Sequence, residues 1–340
     1  MTNNMLRSLL ATAVAGVLLA AAGPLAAQDK PDIAKAKAEG KVVIYTSNRT
    51  EIADAQAKAF QEKYGIEVES IRQGSQKTIQ RTFTELQAGS IGGDIVHCLC
   101  VAFVNDLKGR GWTIPFKTTY FDRIPAELKD PEGHWLAHRV TLILIAYNKN
   151  LVTTEPTSWK DLTDPKYKGK TTIGDANYGS IPLGLGEALS RNLGWEFFEN
   201  IGKNEPLIFQ SNVQNVQWLA TGERWLGPIT DYDAAAAIEK GEPVGLAYPS
   251  EGVVPLPGTS AILKGSKHPE AAKLFMEFLL SDEGQQSHLD GAQYPVRTDF
   301  PGPKAIKPMD QLKLMAVDFG RIEAEGNDIK DRYMRAVSTN

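Results

Sequence analysis

From residue 41 to residue 96 the chain alternates short apolar runs with amphipathic stretches, and that alternation restricts the fold more than any other feature. Lys41-Val42-Val43-Ile44-Tyr45 has no polar face, which predicts a strand buried on both sides. Thr46-Ser47-Asn48 breaks the run. Ile52 to Tyr64 then repeats apolar residues at helical spacing, with Asn48 and Glu51 placed as a capping box and Gly65 as a stop. Ile66 to Ile71 alternates as a second strand. A helix presenting Ile79, Phe83 and Leu86 follows Gln73-Gly74-Ser75, and Asp94-Ile95-Val96 opens a third strand. Strand, helix, strand, helix, strand predicts a parallel sheet covered by helices.

The pattern stops there, and a second α/β unit runs. Val140 to Tyr147 is an apolar run suited to a central strand, and Pro156 to Lys170 reads as a linker-like stretch. Helices are predicted from Pro182 to Leu193, around Val213, Val216 and Leu219, and at 234–240, where Asp231-Tyr232-Asp233 forms the cap. Val244 to Tyr248 and Ala261 to Leu263 are strand-like, Pro269 to Leu280 is an amphipathic helix, and a polar helical stretch from Asp310 to Val337 ends the chain. The first sheet resumes near Gly258. A lobe interrupted by another leaves crossing strands as a hinge, and two lobes enclose a cleft. The expected division is lobe 1 at 28–139 plus 256–305 and lobe 2 at 140–255 plus 306–340.

Ahead of the first element, Arg7, the apolar stretch Leu9 to Gly23 and the small residues Leu25-Ala26-Ala27 have the grammar of an export signal, so 1–27 is expected to be cut after Ala27. The apolar stretch is too short and too Ala-rich for a stable membrane span. At 340 residues the chain exceeds what one compact core usually holds. A net charge of −4 leaves no basic excess for nucleic acid or anionic lipid. Cys98 and Cys100, read as an i,i+2 pair on one strand face, cannot staple a fold and are expected to be buried thiols.

Enzymatic signatures are missing. There is no G-x-S-x-G, H-E-x-x-H or Walker loop, and a nucleophile at Cys98 or Cys100 with His97 has no third orienting residue. His134 and His138 flank Trp135 beside a turn, a poor setting for zinc, while His268 and His288 are expected to face solvent.

What recurs instead is small polar residues where strands give way to helices: Ser47-Asn48-Arg49, Gly74-Ser75, Gly179-Ser180, Ser211-Asn212 and Asp231-Tyr232. Helix N-termini present unpaired N–H groups and a partial positive charge, so several converging on one cleft would cage an anion. Ser47, Arg49, Ser75, Ser180 and Tyr232 are the candidate ligand-binding residues. A phenol at such a start also suits a hard ferric ion, which makes Tyr232, Tyr178 and Asp231 the alternative metal set.

In this order, the features resemble the periplasmic substrate-binding proteins of ABC importers, closest to the subgroup that binds ferric iron, thiamine, phosphonates or sugar phosphates. The resemblance is carried by Val42 to Ser47, Gly93-Asp94-Ile95, Leu144 to Asn148, Gly241-Glu242, Ser281-Asp282-Glu283-Gly284 and Tyr294-Pro295-Val296-Arg297, and above all by Pro156 to Lys170. It spans essentially the whole chain after the signal. It implies an α/β, two-lobe, type II-like binding-protein fold with a hinge and an interlobe cleft. It further implies a periplasmic monomer that is not an enzyme and needs no cofactor, delivering a small solute to membrane permease subunits. Iron-binding members carry adjacent tyrosines where this chain has Asp231-Tyr232, whereas Arg49, Ser47 and the Gly74-Ser75 turn suit an anionic or phosphorylated organic solute.

Overall fold

The computed structural model describes residues 30–304 and 306–338. The expected signal at 1–27 lies outside the described residues.

The first lobe begins with α1 (Ile33–Glu39), β1 (Lys41–Thr46), α2 (Thr50–Tyr64), β2 (Glu67–Arg72), α3 (Ser75–Gln87), β3 (Ile95–Cys98), α4 (Val101–Gly109) and β4 (Thr113–Ile114). The long strand β5 (Leu136–Asn148) leads into β6 (Thr172–Gly174), α5 (Ser180–Leu193), α6 (Trp195–Lys203), β7 (Leu207–Phe209), α7 (Asn212–Thr221), β8 (Leu226–Thr230), α8 (Asp231–Glu239) and β9 (Val244–Ala247). The chain returns through β10 (Val254–Leu263), then α9 (Pro269–Leu280), α10 (Asp282–Asp290), β11 (Tyr294–Pro295) and α11 (Phe319–Val337).

β1 pairs in parallel with β2 and β3, as the βαβαβ order requires. β10 closes this sheet antiparallel to β3 through Thr259–Ile262, while its earlier half, Val254–Gly258, pairs with β5. β5 in turn pairs with β8 and β9 through Ile143–Asn148. Thus β5 and β10 run side by side out of one lobe and into the other, with a register shift between Gly258 and Thr259 at the crossing.

The apolar runs of the sequence follow from burial on both faces. Val42 and Ile44 pack with Phe60 and Phe275, whereas Val43 and Tyr45 face Val96 and Phe103 on the opposite side. In the second lobe Ile143 and Ile145 join Trp159, Leu185 and Phe198, while Leu142 and Leu144 join Ile229 and Ala234. Each such side chain withdrawn from water contributes about 1.5–3 kcal/mol.

Some local expectations are corrected. Residues 156–170 are no linker: they form 3-10 turns at Trp159–Thr163 and Pro165–Tyr167, and buried Trp159 donates its Nε1 hydrogen to the Gly252 carbonyl at 2.8 Å. The Asn48/Glu51 capping box does not form, because Arg49 is the N-cap of α2 and supplies no side-chain cap. α8 starts at Asp231 rather than at 234, and the last helix starts at Phe319, capped by Asp318.

Candidate functional site

Five helices begin at one place between the lobes. The N-caps are Arg49 for α2, Gly74 for α3, Gly179 for α5, Ser211 for α7 and Thr230 for α8, and none makes a side-chain cap hydrogen bond. Asp32, Ser281 and Asp318 cap α1, α10 and α11 away from this point, whereas α4, α6 and α9 also start without a side-chain cap. First-turn N–H groups left without side-chain partners are available to a ligand.

These helix starts surround a cavity of about 330 Å³. All five candidate residues line it: Ser47 and Arg49 at the end of β1, Ser75 on α3, Ser180 on α5 and Tyr232 on α8. Ser180 Oγ donates to Ser75 Oγ at 3.3 Å, and Arg49 Nη1 lies 3.8 Å from Asp233 Oδ1, so both lobes meet here. Sequence reasoning missed Arg72 and Asp175, which also line the cavity. Both sit at or just beyond the carboxyl end of a parallel strand, and that position was the available signal.

Both signs of charge reach the cavity. Arg49 and Arg72 bring two guanidinium groups. Two carboxylates line it as well: Asp175 Oδ1 accepts from the Asn177 backbone N–H and Nδ2 at 2.9 and 3.0 Å, and Asp233 accepts from Thr230 Oγ1 at 2.5 Å through Oδ2 while its Oδ1 faces Arg49. Burial pushes the Asp233 carboxyl up from its ordinary value, against the pull of Thr230 and Arg49. Tyr232 is buried, and its phenol is raised by that burial and by Asp233, so its hydroxyl stays a donor.

Asn48 fixes the loop. Its Oδ1 accepts from the Arg49 N–H at 2.9 Å and from Gln293 Nε2 at 3.0 Å, and its carbonyl accepts from Arg72 Nε at 3.2 Å. Gln293 is held by His288 Nδ1 at 3.0 Å, and His288 Nε2 meets Gln56 Nε2 at 3.2 Å. His288 is therefore fully buried, not solvent-facing as expected, and His268 is partly covered against Asp94 at 2.8 Å.

The alternative metal set is not brought together as a set. Tyr178 is 55% exposed and lines the cavity with Tyr232, but Asp231 is fully buried and does not line it; burial pushes its carboxyl up to about 8. His134 and His138 turn to different partners, Thr113 and Ser260. Among the described residues no group of three His, Cys, Asp or Glu side chains is placed to hold a metal. Cys98 and Cys100 are buried and free, but they do not share a strand face, because Cys100 is already the N-cap of α4. Burial raises the Cys98 thiol and lowers His97 to about 3, while the hydrogen bond with Cys98 lowers the Cys100 thiol.

The family described as Bacterial extracellular solute-binding protein matches residues 94–320. An uncharacterized protein of Haemophilus influenzae is 27% identical over 307 residues, covering 85% of this chain and 88% of its own. A probable ABC transporter periplasmic-binding protein of Sinorhizobium fredii is 26% identical over 239 residues, covering 63% and 62%. Among solved structures, the periplasmic binding protein AfuA of Actinobacillus pleuropneumoniae, with fructose-6-phosphate bound, aligns with a TM-score of 0.80. It is 24% identical and covers 88% of this chain and 99% of that one, a likeness of fold.

Proposed function

The chain belongs to the bacterial extracellular solute-binding proteins, and from that premise we propose that it captures a small anionic or phosphorylated organic solute for an ABC importer. The solute's anionic group sits among the five helix starts. Ser47, Ser75, Ser180 and Tyr232 donate hydroxyl hydrogens to it, and Arg49 and Arg72 balance its charge. The lobes close around it by rotation at the β5–β10 crossing, and the loaded form, a periplasmic monomer, docks on the permease subunits. The observation that carries this reading is the convergence of five helix N-termini without side-chain caps on a cavity holding two arginines. That a fold relative binds a sugar phosphate agrees with it.

The ferric-iron alternative has weaker support. It would rest on Tyr178 and Tyr232 alone of its set, because Asp231 is fully buried and does not line the cavity.

The test is a thermal-shift screen of signal-less protein freed of ligand by unfolding and refolding, against phosphate, sugar phosphates, phosphonates, thiamine, polyamines and ferric citrate. A solute at 100 times its Kd stabilises by about 2.7 kcal/mol, a clear rise in the melting midpoint. A rise with phosphorylated organics is expected. A rise with thiamine or polyamines alone would overturn the reading.

A further inference from the structure

A second, larger cavity of about 790 Å³ adjoins the first, and Leu99 and Ser180 line both spaces. The same helices build both. On α3, Ser75 faces the first cavity and Ile79 and Phe83 the second; on α5, Ser180 lines both and Leu183 the second alone. Phe103 of α4 and Phe319 and Ile322 of α11 complete an inner wall of aromatic and branched side chains. The Phe83 and Phe103 rings sit edge to face with centroids 5.3 Å apart. The lining also includes charged side chains, mostly acidic on α11. Glu323, Glu325 and Asp328 outnumber Lys330 on α11, and Arg110 is engaged by Asp106 at 2.8 Å.

One residue has no explanation within the fold. Gly326 lies inside the nineteen-residue helix α11, where glycine is unfavourable relative to alanine. Its φ is not positive, and a Cβ there would meet only Ile322 Cγ2 and Leu183 Cδ2, both at an ordinary 3.9 Å. Neither backbone conformation nor close packing requires glycine. What a side chain at 326 would take up is space in the second cavity, which Gly326 lines. A local rule broken without a structural need points to function.

We infer that the solute is amphiphilic: its anionic group occupies the helix-start cage, and an apolar, ring-bearing body extends past Leu99 into the second cavity. This rests on the anion-binding reading above and narrows it. The aromatic walls accept the body edge to face or stacked. The acidic side chains of α11 disfavour a second anionic group on that body.

The experiment titrates inorganic phosphate, glycerol phosphate and phenyl phosphate calorimetrically into the wild-type protein and into Gly326→Phe, which fills the cavity from α11. Ala102→Phe, filling it from α4, serves as a second variant should the first misfold. Phenyl phosphate is expected to bind the wild type about tenfold more tightly than glycerol phosphate, from the apolar area it buries. In either variant that advantage disappears while inorganic phosphate binds unchanged. Equal affinity for the two esters in the wild type, or an undiminished phenyl phosphate advantage in a folded variant, overturns the inference and leaves the anion cage standing. If none of the three phosphates binds the wild type, the anion reading itself falls, and this inference falls with it.

Discussion

Ser180 Oγ donates to Ser75 Oγ at 3.3 Å, joining the first turn of α5 in one lobe to the first turn of α3 in the other. Two hydroxyls at two uncapped helix starts, in contact across a cleft, are placed to turn together onto one oxyanion. Replacing either with alanine removes one hydrogen bond to a charged group, worth about 1.5–3 kcal/mol. Ser75→Ala is therefore expected to weaken binding of a phosphorylated solute at least tenfold by titration calorimetry. Because the two hydroxyls share a partner, the double variant should lose less than the sum of the single losses. Unchanged affinity in Ser75→Ala would remove the anion cage.

Arg49 and Arg72 test the charge part of the argument. Arg49 lies 3.5 Å from Glu51 and 3.8 Å from Asp233, so a bound anion competes with these carboxylates for its guanidinium. Arg49→Gln and Arg72→Gln should each weaken anion binding about tenfold, and should also flatten its dependence on ionic strength between 0.01 and 0.15 M, where screening changes most. A loss of affinity with an unaltered salt dependence would mean that the arginines shape the loop without attracting the ligand.

The helix starts were legible in the sequence because strand, small polar residue and amphipathic run follow one another locally. Ser47, Ser75, Ser180 and Tyr232 were found that way. Arg72 was not, because alternation along Ile66 to Ile71 says which face a residue takes but not that β2 ends at the cleft. The core strands were legible from their unbroken apolar runs, yet Pro156 to Lys170 was misread, since its polar surface hides Trp159, whose partner Gly252 is 93 residues away. His288 failed for the same reason: its burial depends on Gln56, brought to it from 232 residues away.

Ferric loading provides a separate check. Iron bound by a phenolate gives a visible charge-transfer band, and that requires Tyr232 or Tyr178 to lose a proton. Only Tyr178 and Tyr232 of the alternative metal set reach the cavity, and Asp231 is shut away from it. The protein mixed with ferric citrate and freed of excess should remain colourless. A coloured protein whose band vanishes in Tyr232→Phe would establish iron as the solute instead.

The buried titratable groups fix the pH profile of stability. His97, His138 and His288 stack in a row, with centroids 4.8 and 5.2 Å apart. Burial, first of all, depresses each of them, His97 and His288 to about 3. A depressed histidine contributes stability that is complete above its unfolded value near 6.5 and is lost as pH falls towards 3. Asp231 has the opposite sign. Its carboxyl is raised to about 8, chiefly by burial, and Asp233 is raised in the same direction. Their contribution is complete below the unfolded value near 4 and is lost as pH rises towards 8. Stability should therefore peak near pH 6.5, falling by several kcal/mol on acidification and more gently towards pH 8. Urea midpoints measured across pH 4 to 8.5 give this profile. Asp231→Asn should flatten the alkaline side and steepen the acid side above pH 4, whereas His288→Gln should flatten the acid side and leave the alkaline side intact. An acid side unchanged in His288→Gln would mean that the buried row does not govern acid unfolding.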